Sequence, residues 1–278
     1  MVPPPAHRAA LPGERALTPP ELRRCHEDVL RKAGGSWFDF EGLIRDIYAP
    51  MLRPGDVVVD GGAHFGVHTF QMAAKVAPSG RVIAFEPAPP TLAVFKREWD
   101  RHPPAVRNVI ELRETGLGRV AGTSRFHHVP DAPGLSSIKA RPDSHSYKHE
   151  AMTIRIERLD DVFASLRALP FMKLDLEGGE FDALLGGQAL IARTMPLIVF
   201  EMDRKSPDYF GYGLGELVDF FARLRYVVVD FFGNEYTTTE HYEQSLVWNL
   251  AALPVGTNRA VVVDPVRRTL AKSGSGGH

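Results

Sequence analysis

The chain has 278 residues, enough for one large domain with additions or two small ones, and its 44% apolar content allows a sizeable core. A formal net charge of −1 argues against a nucleic-acid surface built on bulk charge. The single cysteine, Cys25, excludes an intrachain disulfide and a cysteine-rich zinc site and suits a reduced, cytoplasmic setting, and no apolar run reaches membrane length.

Residues 1–20 are rich in Pro and Ala and read as a disordered segment, neither signal peptide nor membrane span. A helical pattern opens at Pro20-Glu21, with Leu22, Val29 and Leu30 apolar, and stops before Gly34-Gly35. A second short helix is predicted from Phe38 to Leu52, ending at Pro54-Gly55. Residues 21–54 therefore form a helical addition ahead of a main domain over 55–265.

Within that domain, predicted strands alternate with helices. Strands are expected at Val57–Asp60, Arg81–Glu86, Val109–Glu114, Phe171–Leu176, Leu197–Glu201 and Tyr226–Phe231, with a last one at Ser245–Leu250. Helices are expected from Gly66 to Val76, Thr91 to Arg101, Asp161 to Leu169, Glu180 to Leu185 and Leu214 to Leu224. This alternation implies a doubly wound, mostly parallel seven-stranded α/β sheet covered on both faces. The closing pair of strands implies an antiparallel edge strand. Residues 124–160 break the rhythm: Ser124–Val129 and Met152–Arg158 read as short strands around a polar loop, a small β insertion that is either an acceptor lid or a disordered polar loop. Residues 266–278 read as a flexible tail.

The densest signal lies where the first strand ends. Val57 to Val59 run into Asp60 and a small-residue loop, Gly61, Gly62, Ala63, His64, Phe65 and Gly66. Glycines there let the backbone take positive φ and approach a ligand; Gly66 could equally serve helix–strand packing. The second strand ends in Glu86-Pro87, where an acid can accept hydrogen bonds from both ribose hydroxyls of a nucleoside. The spacing is not G-x-G-x-x-G, and an acid directly before the loop would repel a pyrophosphate but suits an ammonium. Together these features favour S-adenosylmethionine over a dinucleotide.

The chain resembles the FkbM family of S-adenosylmethionine-dependent methyltransferases. The matching segments are Asp60 to Thr69 (DGGAHFGVHT), Phe85 to Pro89 (FEPAP), and Lys173 to Glu180 (KLDLEGGE) with Leu184, Leu185 and Gly186. Leu159-Asp160-Asp161 and Pro196 to Glu201 (PLIVFE) also match. The likeness covers roughly residues 50 to 250, and the third segment is the most specific. The chain departs at His64, where the family usually has asparagine. The resemblance implies a Rossmann-like class I methyltransferase fold and methylation of a hydroxyl on a small acceptor: a sugar, a polyketide or a peptide-derived metabolite. Methylation of nitrogen or carboxyl, or a non-catalytic cofactor-binding protein, remains the alternative. No nucleic-acid or membrane partner is implied, and a homo-oligomer is compatible with the sequence.

The residues expected to hold the cofactor are Asp60, Gly61, Gly62, Ala63, His64, Gly66, Thr69, Glu86, Pro87 and Asp175, with Thr115, Gly116 and Leu117 at the adenine. Asp175, Glu177 and His145 are the candidates for orienting or deprotonating an acceptor. Glu177 could instead cap the helix that follows, and Lys173 shares a strand face with Asp175 and could pair with an acid inside the sheet. A divalent metal on Asp175, Glu177 and Glu201 is conceivable but nothing in the spacing demands it. Tyr209, Phe210 and Tyr212 either face the acceptor or pack a loop, and His68 is either a site residue or first-turn packing.

Overall fold

A computed structural model describes residues 17–32, 39–140, 144, 146–202 and 206–274. Ten strands are described: β1 (Val57–Gly61), β2 (Arg81–Phe85), β3 (Ile110–Arg113), β4 (Gly116–Leu117), β5 (Gly122–His128), β6 (Glu150–Glu157), β7 (Phe171–Leu174), β8 (Leu197–Glu201), β9 (Tyr226–Asp230) and β10 (Asn249–Pro254). Seven of them form one sheet in the order β3-β2-β1-β7-β8-β10-β9, and the rest form a small sheet β4-β6-β5. All pairs of the large sheet are parallel except those made by β10. This is the doubly wound class I methyltransferase arrangement. The order reverses between β1 and β7, so a crevice opens beyond their carboxyl ends.

Alternate strand residues feed opposite faces. On one face Val59, Ile83, Met172 and Ile198 pack with Phe181, Leu184 and Phe220 from helices. On the other, Val58, Val82, Phe171 and Val199 pack with Leu43, Ile44, Ile47 and Tyr48 of the helix Phe40–Tyr48 and with Phe70 and Met72 of the helix Val67–Val76. The N-terminal helix Pro19–Lys32 is pinned by a fully buried pair, His26 Nε2 and Asp230 Oδ2 at 2.7 Å, while His26 Nδ1 accepts the Leu246 amide at 3.1 Å. Among the described residues no helix is long and apolar enough to cross a membrane.

Several local expectations are corrected. The antiparallel strand is not at an edge: β10 lies between β8 and β9, and β9 is the edge. It also begins at Asn249 rather than Ser245, because the Ser245 hydroxyl donates to the Val247 carbonyl (2.6 Å) and accepts the Val247 amide (3.1 Å), which closes a turn. The helix expected over Asp161–Leu169 is only Leu159–Val162; Arg193 donates to the carbonyls of Phe163 (2.8 Å) and Leu166 (2.9 Å), taking acceptors a longer helix would use. The segment expected to be a disordered N-terminus already contains the start of the helix at Pro19, where Thr18 donates its amide and hydroxyl to Glu21; residues 1–16 lie outside the described residues. The expected flexible tail over 266–278 is helical as far as Gly274, in Ala260–Gly274, anchored by buried Val262, Val263 and Val266.

Candidate active site

The site starts from the way β1 and β7 lie in register, with Asp60 opposite Lys173. Lys173 is 4% exposed, and its ammonium lies 3.1 Å from Asp175 Oδ2 and 4.0 Å from Asp60 Oδ1. Burial opposes that charge, but Asp175, Asp60 and Glu41 outweigh it and hold Lys173 protonated well above the usual lysine range. The Thr69 hydroxyl, one helical turn into Val67–Val76, donates to Asp60 Oδ2 at 2.5 Å. Asp60 Oδ1 has no hydrogen-bond partner although Asp60 is fully buried and belongs to a cavity wall. An unmade bond at a buried charged oxygen is costly unless a ligand donates to it.

The loop after β1 runs close beside the exit of β7. Gly62 sits at φ 75°, and a Cβ there would lie 1.8 Å from the Asp175 carbonyl oxygen. Only glycine allows both the dihedral and the approach. Gly66, at φ 89°, instead faces the Phe70 and Phe95 rings, 2.4 and 2.9 Å from where a Cβ would be, so its role is packing. His64 also has positive φ, 50°, as does Glu177 at 54°. Two non-glycine residues in this conformation beside one cavity are strain of the kind that collects at functional sites.

At the end of β2, Glu86 is 6% exposed and accepts amides from His64 (3.0 Å) and Ala88 (2.9 Å). Burial pushes its carboxyl up to about 7 even though both hydrogen bonds favour the charged form. Its two oxygens keep lone pairs for further donors.

These groups share a cavity of about 410 Å³, within the range of small-molecule sites. Ala63, His64 and Pro87 line it, as do Gly116 and Leu117. The insertion forms one wall through Phe126, Ile138 and Ile154, which pack around Ala88. The Ser137 hydroxyl ties that wall to the opposite side by donating to the Glu177 carbonyl at 2.8 Å.

Asp175 and Glu177 also line the cavity. Burial would raise Asp175, but Lys173 and a hydrogen bond from Glu201 hold it below the usual carboxylate range. Glu201 is driven far the other way, by burial and then by the charges of Glu177, Asp175 and Glu180. Glu201 therefore keeps its proton and donates it to Asp175. One oxygen from each of Asp175, Glu177 and Glu201 lies within 4.8 Å of the others, the arrangement weighed from sequence as a cation site.

Several expected site residues are not in the cavity wall. Gly61 lies behind it, against Leu174. Thr69 acts through Asp60. Thr115 turns away, its hydroxyl donating to Glu157 at 2.8 Å beside the Arg113–Glu157 fork. The buried carboxylate of Glu180, first residue of the helix Glu180–Gly186, accepts the amides of Leu176 (2.5 Å) and Gly178 (3.3 Å) in the turn before it, and burial pushes it up to about 7. Phe210 packs on Gly178 and Tyr212 on Phe181, and with Tyr209 they stay out of the cavity. His145 lies outside the described residues. Conversely, Glu41 enters the wall from the helix Phe40–Tyr48, paired with His68 at 2.6 Å. No local sequence pattern marks Glu41; only the packing of its helix brings it there.

Residues 60–228 match the family model described as the methyltransferase FkbM domain. The chain belongs to the FkbM methyltransferase family. It is 30% identical over 149 residues to methyltransferase 1 of Beauveria bassiana (strain ARSEF 2860), covering 46% of this chain and 57% of that one. It is 30% identical over 165 residues to the 31-O-demethyl-FK506 methyltransferase FkbM of Streptomyces tacrolimicus, covering 49% and 60%. The alignments thus span under two thirds of these curated relatives. Among solved structures, the methyltransferase FkbM of Methylobacillus flagellatus KT aligns with TM-score 0.47 and 17% identity over 82% of this chain and 60% of that one. The FkbM match begins at Asp60, so the helix bearing Glu41 precedes it.

The Gly62 contact is open to a direct test. Gly62→Ala is expected to lower stability by about 3 kcal/mol or more, because side chain and Asp175 carbonyl cannot share the space. Chemical denaturation of the variant checks it; wild-type stability would mean the loop is not held against β7.

Proposed function

We propose that the chain is an S-adenosylmethionine-dependent methyltransferase acting on a hydroxyl oxygen of a small natural product or sugar. The observation that carries this reading is the pairing, in one cavity, of the unsatisfied Asp60 Oδ1 with Glu86. An ammonium suits the first and a ribose diol the second. S-adenosylmethionine supplies an electrophilic methyl group when bound.

Around it, the chain's residues have distinct tasks. Asp60 accepts from the amino end, while Thr69 and Lys173 keep its carboxylate in place. Glu86 accepts from the ribose hydroxyls, and Gly116 and Leu117 wall the base. Asp175 orients the acceptor hydroxyl for in-line attack. Held low by Lys173, it is a weak base at the outset. A newly alkylated oxygen is a far stronger acid than a carboxylic acid, so Asp175 can take the proton once the carbon–oxygen bond has formed.

Two points favour a hydroxyl acceptor. A carboxylate acceptor would be repelled by Asp175 and Glu177. The Streptomyces tacrolimicus relative is a 31-O-demethyl-FK506 methyltransferase, whose methylation by that name is on oxygen. This reading assigns no step to a divalent cation.

Glu86→Ala is expected to weaken S-adenosylmethionine binding by about 1–3 kcal/mol, the worth of charge-assisted hydrogen bonds. In the wild type, the carboxyl at about 7 must be deprotonated to accept both hydroxyls, so affinity should rise with pH through about 7 and fall below it. Calorimetry from pH 6 to 8 checks both; unchanged affinity in the variant would remove Glu86 from the site. Asp175→Asn should keep cofactor affinity within about twofold and lower turnover by at least about tenfold, as for lost general-base catalysis. Turnover at the wild-type rate would make Asp175 a structural residue only.

A further inference from the structure

The segment ahead of the family domain contributes a charged group to the cavity. The helix Phe40–Tyr48 is fixed at its start by Asp39, which accepts the Gly42 amide at 2.8 Å. Along its length it is fixed by Leu43, Ile44, Ile47 and Tyr48 against the sheet. This leaves Glu41 in the cavity wall, with 58% of its side chain exposed. Its Oε2 lies 2.6 Å from Nε2 of buried His68, whose Nδ1 is 3.2 Å from the Tyr48 hydroxyl. The His68 imidazole beside it outweighs burial and holds the Glu41 carboxyl below its ordinary value.

The charge balance of the wall then points to a cation. Lys173 is shared by two carboxylates, Asp60 and Asp175, which leaves that trio net negative. Glu41 adds a further carboxylate on the side of the loop after β1, beside His64 and His68. An ammonium has three donors, and Asp60 has one unsatisfied oxygen to offer. The His68 contact engages only Oε2 of Glu41, and a carboxylate has about four lone-pair sites on its two oxygens.

We infer that Glu41 is a second anchor for the α-ammonium of the methyl donor's amino-acid end, so that a helix outside the FkbM domain completes the cofactor site. The inference rests on the S-adenosylmethionine reading. His68 acts here as a positioning residue that aims the Glu41 carboxylate.

The test is calorimetric titration of the full chain and of Glu41→Gln with S-adenosylhomocysteine. A parallel titration uses 5′-deoxy-5′-methylthioadenosine, which keeps the nucleoside and thioether but lacks the amino acid. Glu41→Gln keeps a side-chain oxygen that can face His68, and melting curves of both proteins establish that each is folded at the titration temperature. The expected result is that the variant binds S-adenosylhomocysteine about five- to tenfold more weakly, as for one lost charge-assisted contact. Binding of the nucleoside fragment should be unchanged. Equal affinity for S-adenosylhomocysteine in both proteins, or an equal loss for both ligands, would overturn the inference. If the wild type fails to bind S-adenosylhomocysteine, the donor assignment itself falls, and this inference with it.

Discussion

A single buried ammonium organises the crevice. Lys173 sits where the sheet reverses direction, almost without solvent, and an isolated charge there would be prohibitively costly. Asp60 and Asp175 make it tolerable, and in doing so each acquires a defined state. Asp60 is locked between Lys173 and Thr69 with one oxygen left over. Lys173 holds Asp175 low, while burial and the charges of Glu177 and Asp175 drive its neighbour Glu201 well above the usual carboxylate range. One lysine thus ties together both aspartates of the cavity wall. Removing one partner of such a buried network is far more damaging than never having built it.

The backbone reinforces the same joint. Gly62 touches the carbonyl of Asp175, so the loop after β1 and the exit of β7 cannot move independently. The Ser137–Glu177 bond extends this rigidity to the insertion, and the Glu41–His68 pair extends it to the N-terminal helix. A preorganised wall of this kind spends little free energy on rearrangement when a ligand arrives. The two carboxyls pushed up to about 7, Glu86 and Glu180, are raised chiefly by burial, the cost of holding acids out of water beside the crevice.

Much of this was legible in the chain because it is local. The run Val57–Asp60 with its glycines, the Glu86-Pro87 corner and the Lys173–Glu180 segment each write a strand end and its loop in consecutive residues. The strand–helix alternation is equally local, and it yields the doubly wound sheet. What escaped was set by distant partners. The insertion of β10 between β8 and β9 depends on pairing across the sheet. Thr115 is expected at the adenine, yet Glu157, distant in sequence but on β6 beside β4, captures its hydroxyl. The fold-back of Glu180 onto the Leu176 and Gly178 amides goes with the positive φ of Glu177, which no propensity announces. Glu41 could not be read at all, since a lone glutamate in an amphipathic helix looks like any solvated residue until the helix is docked.

The central claim is that this cavity delivers a methyl group from S-adenosylmethionine to a small hydroxyl compound. The most direct measurement is mass spectrometry of small-molecule extracts incubated with the chain and S-adenosylmethionine carrying an isotopically labelled methyl group. The account predicts a labelled metabolite whose methyl is attached to oxygen, with S-adenosylhomocysteine formed in equal amount. Tight binding of the donor with no labelled product from any extract, or label found only on nitrogen or carboxylate groups, would contradict it.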